Sequence, residues 1–318
     1  MYAPVARNPK VVTRRLGLAL LSWFLAALNR PALGDVPIRV CLQANDPPLS
    51  FNQNGKPLGF DVALADLISE RLHRPLEIQW FTTRDDPDSN PVTEADALLS
   101  DGHCALVADY PLLADKLGRP RAPTGKLPPF VGAKPEDRQR WIKLGELVPT
   151  RSYRFDAITV ALSPMQSRRA VHVMADLQGF TLGVQIHGLA DLIAMSYHHG
   201  ELAQRVVHFD QERTLFGKLE IGAIDAALVD QRALDAWHFA HPETRIVSTG
   251  YQHSVGFNVG FVGGAPSRAL IEAVDMLLDD WLADGRLEKL AQANGVTYRA
   301  PRKPDVSPGL DLNAVTGD

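Results

Sequence analysis

The chain has 318 residues, 45% of them hydrophobic and 22% charged, with 24 Gly, 23 Pro and a formal charge of −4. This balance excludes a disordered acidic chain, a collagen and a coiled coil, and the length suggests two lobes. No Lys/Arg-rich run follows the N-terminus, so nothing points to nucleic acid as a partner.

Residues 1–34 hold five basic residues and no acidic one. An apolar run from Leu16 to Leu28 leads to Pro31-Ala32-Leu33-Gly34, the small-residue pattern of a signal-peptidase site. The run is shorter than the roughly 20 residues of a membrane span. The expectation is a signal peptide over 1–34, cut before Asp35, and a soluble protein exported to the periplasm. Two cysteines remain, Cys41 and Cys104. An oxidising compartment invites a bridge between them, and two buried thiols are the alternative.

The elements then follow in order. Val36 to Leu42 reads as a strand, and Phe60 to His73 as a helix with apolar residues at helical spacing. Leu76 to Phe81 is a strand, Thr93 to Leu99 a helix, and Cys104 to Ala108 a strand, giving a β-α-β-α-β run and a parallel sheet. Residues 111–150 carry many Pro and charged residues and read as an irregular insert. Strands are expected at Ala157–Leu162, Leu182–Gln185, Arg205–Phe209, within Ala223–Val229 and at Gly256–Val262. Helices are expected from Gly188, over Leu215–Glu220, Ser267–Leu282 and Arg286–Asn294, and the tail 301–318 is expected to be loose.

Several stretches carry a resemblance. They are Ile38-Arg-Val, Pro48-Leu-Ser-Phe-Asn, Leu58-Gly-Phe-Asp-Val-Ala-Leu-Ala, Asp176-Leu-Gln-Gly-Phe-Thr-Leu-Gly-Val-Gln185, Gly222-Ala-Ile-Asp-Ala-Ala-Leu-Val-Asp230 and Gly285-Arg-Leu-Glu-Lys-Leu. In that order they resemble the bacterial family 3 extracellular solute-binding proteins, the periplasmic receptors of ABC importers, over most of 36–299. The resemblance implies the α/β two-lobe periplasmic binding protein fold (type II), with two crossing hinge strands and a ligand cleft. Lobe 1 would be 35–155 plus 256–300, with the insert 111–150, and lobe 2 would be 156–255. It also implies neighbouring strands for Cys41 and Cys104, which favours the disulfide. Arg39-Val-Cys41, Gly102-His-Cys104 and Pro111 resemble, in addition, solute-binding-like proteins associated with quinoprotein (PQQ) alcohol dehydrogenases.

The resemblance implies a set of ligand-binding residues. Asp230 matches the family's ammonium-binding Asp, with a helix cap as its alternative. Asp46 stands where the family often has Tyr or Phe, and Phe51 is the candidate stacking ring. Asp109 and Tyr110 follow the strand at which the family has a Thr-x-x-Arg anchor, and that Arg is missing. Arg119 and Arg151 are possible substitutes, and Tyr153 and Arg154 sit where the family has a Tyr pair. His187 and Gly188 begin a helix whose N–H groups would hold an anion. The cleft so read is acidic and favours a cationic, polyhydroxy or metal-bearing solute. The insert is expected over or beside the cleft mouth, as a lid or a partner-docking surface, with a mobile surface loop as the alternative.

No Gly-x-Ser-x-Gly, Walker A or Gly-x-Gly-x-x-Gly motif is present, and His238/His241 and His198/His199 lack companions at metal-ligand spacing. The reading is therefore a monomeric binding protein, not an enzyme, with no cofactor and no metal. It would capture a small polar solute for an inner-membrane ABC permease. The alternatives are an accessory protein of a periplasmic dehydrogenase and a dehydratase-like enzyme using His187 and the Asp cluster.

Overall fold

A computed structural model describes residues 36–83, 90–309 and 312–317. The expected signal segment, 1–34, lies outside them. Strand β1 (Ile38–Gln43) leads into a small antiparallel sheet of β2 (Asn45–Asp46), β3 (Ser50–Gln53) and β4 (Lys56–Leu58). Helix α1 (Phe60–Leu72) starts after Gly59, whose φ is 111° and whose Cβ would fall 2.4 Å from the Leu49 carbonyl oxygen. Only glycine fits that corner. The helix ends with His73 in the left-handed region, before Pro75.

Strand β5 (Leu76–Phe81) precedes α2 (Pro91–Ser100), which Asn90 caps by accepting hydrogen bonds from the Val92 and Thr93 N–H groups at 3.1 and 3.2 Å. Strand β6 (Leu106–Pro111) completes the parallel set β5-β1-β6. The insert is not irregular throughout. It forms a hairpin of β7 (Thr124–Lys126) and β8 (Trp141–Lys143), with Leu127, Ile142 and Leu144 buried. Its Pro129 carbonyl accepts from the Thr82 N–H at 2.9 Å, and its Val131 N–H donates to the Trp80 carbonyl at 2.9 Å. The insert therefore covers the β5 edge and the flank of α2.

Strand β9 (Leu147–Leu162) runs for 16 residues and joins two half-sheets. From Leu147 to Ala157 it pairs with β14, and from Ile158 to Leu162 with β12. The second half holds β10 (Leu182–Gln185), α3 (Leu189–Ser196), β11 (Val206–Phe209), α4 (Glu212–Glu220), β12 (Ala226–Asp230), α5 (Gln231–Ala240) and β13 (Val247–Ser248). The chain returns through β14 (Gly256–Gly264), α6 (Arg268–Ala283) and α7 (Arg286–Ala293), and a short α8 (Leu312–Val315) follows. The full sheet order is β11-β10-β12-β9-β14-β6-β1-β5. Separate cores build on each half, one around Leu64, Phe261 and Trp281 and one around Val160, Ile193 and Tyr197.

The expectation of a loose tail is overturned. The Asn258 amide donates to the Arg302, Pro304 and Asp305 carbonyls at 2.6–3.0 Å, and its oxygen accepts from the Arg302 N–H. Asp305 pairs with Arg151 at 2.7 Å, and Val315 is buried in the second half. Polar residues, not an apolar pattern, anchor this segment, so periodicity could not reveal it.

Cys41 on β1 is bridged to Cys104, which sits in the turn before β6, with the two Cα atoms 5.6 Å apart. The bridge closes a sequence separation of 63 residues. In the chain-entropy account such a loop is worth about 4 kcal/mol. Replacing both cysteines by Ala should lower the urea-unfolding free energy by about that order. Unchanged stability in the double variant, or two free thiols in non-reducing mass spectrometry of the purified protein, would show that the bridge does not operate.

Candidate functional site

The parallel strands β1, β5 and β6 present their carboxyl ends to a cavity of about 360 Å³. Its walls include Gln43, Phe81, Thr83, Tyr110, Asp156 and Phe257, with Asp109 and Arg232 beside them. Such strand ends are where open α/β sheets bind ligands.

Asp109 organises the site. It adopts φ 56°, in the left-handed region, and its N–H donates to the Tyr153 hydroxyl at 2.8 Å. That hydroxyl in turn donates to Asp61 Oδ1 at 2.9 Å. Tyr153 is fully buried and wedged between Phe60 and Phe261, so its ring fixes the height of Asp109. The Asp109 carboxylate accepts from Arg154 through Nη2 and from Arg232, whose Nη1 lies 2.9 Å away. Arg154, on β9, is 5% exposed and also faces Asp156 at 3.4 Å. Arg232 enters from α5 in the other half and binds Asp46 through Nη2 at 2.5 Å and Nε at 3.3 Å.

Helix α5 is fastened at two further points. Asp235 accepts from the Thr297 N–H and hydroxyl at 2.8 and 2.7 Å, and Phe239 meets the Phe51 ring edge-on at 5.1 Å. The cleft is thus bridged by one helix through Arg232, Asp235 and Phe239.

These charges act on one another. Burial, then the nearby Asp109 carboxylate, push the Asp61 carboxyl up from its ordinary 3.8 to about 8. Burial works against the Arg232 charge but is outweighed by Asp109 and Asp46, so its pKa rises. Asp230 is open to solvent at the end of β12. Even so, the surrounding protein, then the Asp156 and Glu212 carboxylates, push it up to about 6.

The sequence-derived candidates divide. Asp46, Asp109 and Tyr110 lie at or beside the cavity, and Tyr153 supports it from below. Tyr110 is itself a core residue whose hydroxyl donates to the Lys116 carbonyl. Asp230 occupies the N-cap position of α5 without a side-chain capping bond. Phe51 packs on Phe239 rather than lining the cavity.

Arg151 belongs elsewhere: it pairs with Asp279 at 3.1 Å and Asp305 at 2.7 Å, so it is not a substitute anchor at the cavity. Arg119 lines a separate 190 Å³ cavity between the insert and α2. Among the described residues of 111–150, Pro111 lines the main cavity, and Phe130 bridges to Phe81 in its wall, so the insert lies beside the cavity rather than over it. His187 and Gly188 are outside the cavity lining, and the chain's own Asp191 meets the N–H that precedes this helix. Asp191 accepts from the His187 N–H at 3.0 Å and also meets His208 at 3.0 Å. Sequence reading placed Arg154 beside Tyr153 at the family's Tyr pair, and missed Asp156 and Arg232 as site residues. Among the described residues, no group of three or more His, Cys, Asp or Glu is placed to hold a metal, and no helix is long and apolar enough to cross a membrane.

No family model and no curated protein matches this sequence. Solved structures do. The L-cystine solute receptor of Neisseria gonorrhoeae in its unliganded open conformation aligns with a TM-score of 0.59 at 15% identity, covering 85% of this chain and 97% of that one. An ancestral cationic amino acid solute binding protein aligns with a TM-score of 0.54 at 17% identity, covering 81% and 94%. These likenesses show the fold: it is the two-lobe periplasmic binding protein fold.

Two expectations follow from the buried network. Tyr153→Phe removes the acceptor of the Asp109 N–H and the donor to Asp61, each a buried polar partner whose loss costs about 1–3 kcal/mol. Urea unfolding should show a loss of that order, and wild-type stability in the variant would contradict the geometry. Asp61 ionises near 3.8 when unfolded but at about 8 when folded. Its stabilising contribution is complete below the lower value. It is lost as pH rises through that window, by up to ~1.4 kcal/mol per pH unit. Asp61→Asn keeps an acceptor for Tyr153 and should flatten the decline between about pH 5 and 8. Parallel stability–pH curves for variant and wild type would refute this assignment.

Proposed function

We propose that this chain is a periplasmic solute-binding protein that captures a small polar solute between its two lobes and presents it to an inner-membrane ABC permease, without catalysis. The observation that carries the reading is the cavity at the carboxyl ends of β1, β5 and β6, where aromatic walls meet paired charges. At about 360 Å³ it falls within the size range of small-molecule sites. On this reading the lobes are 36–155 plus 256–300 and 156–255, hinged where β9 exchanges β14 for β12, and export uses the segment 1–34.

The structural neighbours are solute-binding proteins, one of L-cystine and one of cationic amino acids. This chain differs at the carboxylate anchor. Both arginines at its cavity are held by its own aspartates, so a plain α-amino acid would have to break an ion pair to bind.

A second reading, an accessory role beside a periplasmic quinoprotein dehydrogenase, rests on the resemblance of Arg39-Val-Cys41 and Gly102-His-Cys104 alone. His187, the acid–base candidate of a dehydratase, lies outside the cavity lining, and nothing favours that reading.

The test is a thermal-shift panel of amino acids, polyamines, sugars and metal ions, repeated on Phe257→Ala. A solute at 100 times its Kd stabilises by about 2.7 kcal/mol, a shift of several degrees. The expected result is one chemical class that raises Tm in wild type and not in the variant, with uncharged α-amino acids inactive. A panel with no shift, accompanied by co-purification with a dehydrogenase, would replace this reading with the second.

A further inference from the structure

The contact between Arg232 and lobe 1 has the form of a bound ligand. Its guanidinium uses every nitrogen: Nε and Nη2 form a fork onto the two oxygens of Asp46, at 3.3 and 2.5 Å, and Nη1 reaches Asp109 at 2.9 Å. Both carboxylates come from lobe 1, on β2 and at the end of β6, whereas Arg232 comes from α5 of lobe 2. A planar fork of N–H donors matches two converging carboxylates in a way that a compact ammonium cannot.

The local charge demands a cation there. Asp46, Asp109 and Asp156 face one permanent lobe 1 cation, Arg154. A buried cluster with that excess is costly unless a further positive group joins it. The Arg232 side chain is 38% exposed, so it can leave without unpacking a core. The helix keeps its other two fastenings, Asp235 to Thr297 and Phe239 to Phe51, when the guanidinium departs.

We propose that Asp46 and Asp109 form a cation subsite that Arg232 fills as a tethered surrogate, and that the external ligand of this subsite is a small monocation bearing a guanidinium or amidinium group. The inference rests on the cleft being a solute site and names the chemistry that site selects. Arg232 holds the subsite in bound geometry when solute is absent. A solute of this class displaces it, so the measured affinity is the difference between the two cations.

The test uses chemical complementation. Arg232→Gly is titrated with methylguanidinium chloride to about 10 mM, far below the molar range in which guanidinium unfolds proteins. Tetramethylammonium chloride at equal ionic strength is the control. The variant's Tm should rise by about 2–4 °C with methylguanidinium and stay unchanged with the control, while wild type, in which the cation must first displace the tethered Arg232, should respond less at the same concentration. The double variant Arg232→Gly/Asp46→Asn should lose the response. If the glycine variant does not fold, Arg232→Gln, which keeps the stem of the side chain, carries the same test. Equal responses in wild type and variant, no response in the variant, or a response that survives Asp46→Asn would each overturn the proposal. Failure of the solute panel would remove the transport reading and leave this result standing, because the titration reads the subsite alone.

Discussion

One carboxylate, Asp109, sets the conditions for the rest of the cleft. It is nearly buried between two guanidinium groups, and its backbone is held in the left-handed region by a hydrogen bond to Tyr153. A buried ion is tolerated only when paired and hydrogen-bonded. Asp109 meets that condition through one partner in its own lobe, Arg154, and one across the cleft, Arg232. The second pairing makes lobe contact part of the solvation of Asp109. Burial, reinforced by that field, accounts for Asp61: a second full negative charge, fully buried and one hydroxyl away, is unfavourable, so the proton stays on.

Strand β9 turns this local chemistry into architecture. It supplies Tyr153, which sets the height of Asp109, Arg154, which neutralises it, and Asp156, two residues on, which shares that arginine. A few residues further it leaves β14 for β12 and becomes the central strand of the other lobe. Arg151, just upstream, ties the strand to α6 and to the C-terminal segment through Asp279 and Asp305. A displacement of the lobes about this strand therefore acts directly on the residues that hold the charges together.

Much of this was legible in the sequence. Strands such as Leu76–Phe81 and Leu182–Gln185, and helix Phe60–Leu72, follow from periodicity because each buries an apolar face. The cysteine pair and the acidic residues Asp46 and Asp109 were legible through resemblance. Two failures share one cause. The strand read at Ala157–Leu162 begins ten residues earlier, where Thr150, Ser152, Arg154 and Asp156 are buried polar residues, the first three bonded to Phe261, Asp305 and Asp109 far along the chain and Asp156 paired with Arg154. Helix α5 was passed over because its inner face carries Gln231 and Asp235, bonded to each other and to Thr297. A pattern built on apolar burial does not register elements buried by polar pairing, and those two elements carry Arg154 and Arg232.

The two anchors expected for an external ligand show a common logic. Just before α3, where an anion was expected, the chain's own Asp191 takes the His187 N–H and meets His208. The carboxylates of lobe 1, where a cation was expected, are occupied by the chain's own Arg232. Each charged surface meets an internal group of the sign its ligand would bring. An empty charged cleft would pull water between the lobes and keep them apart. An internally paired one keeps them in contact and excludes weak binders, since a solute gains only what its contacts add over the pair it replaces. On the proposed solute-binding reading, selectivity would then fall to the remaining walls, Phe81, Phe257, Gln43 and Thr83.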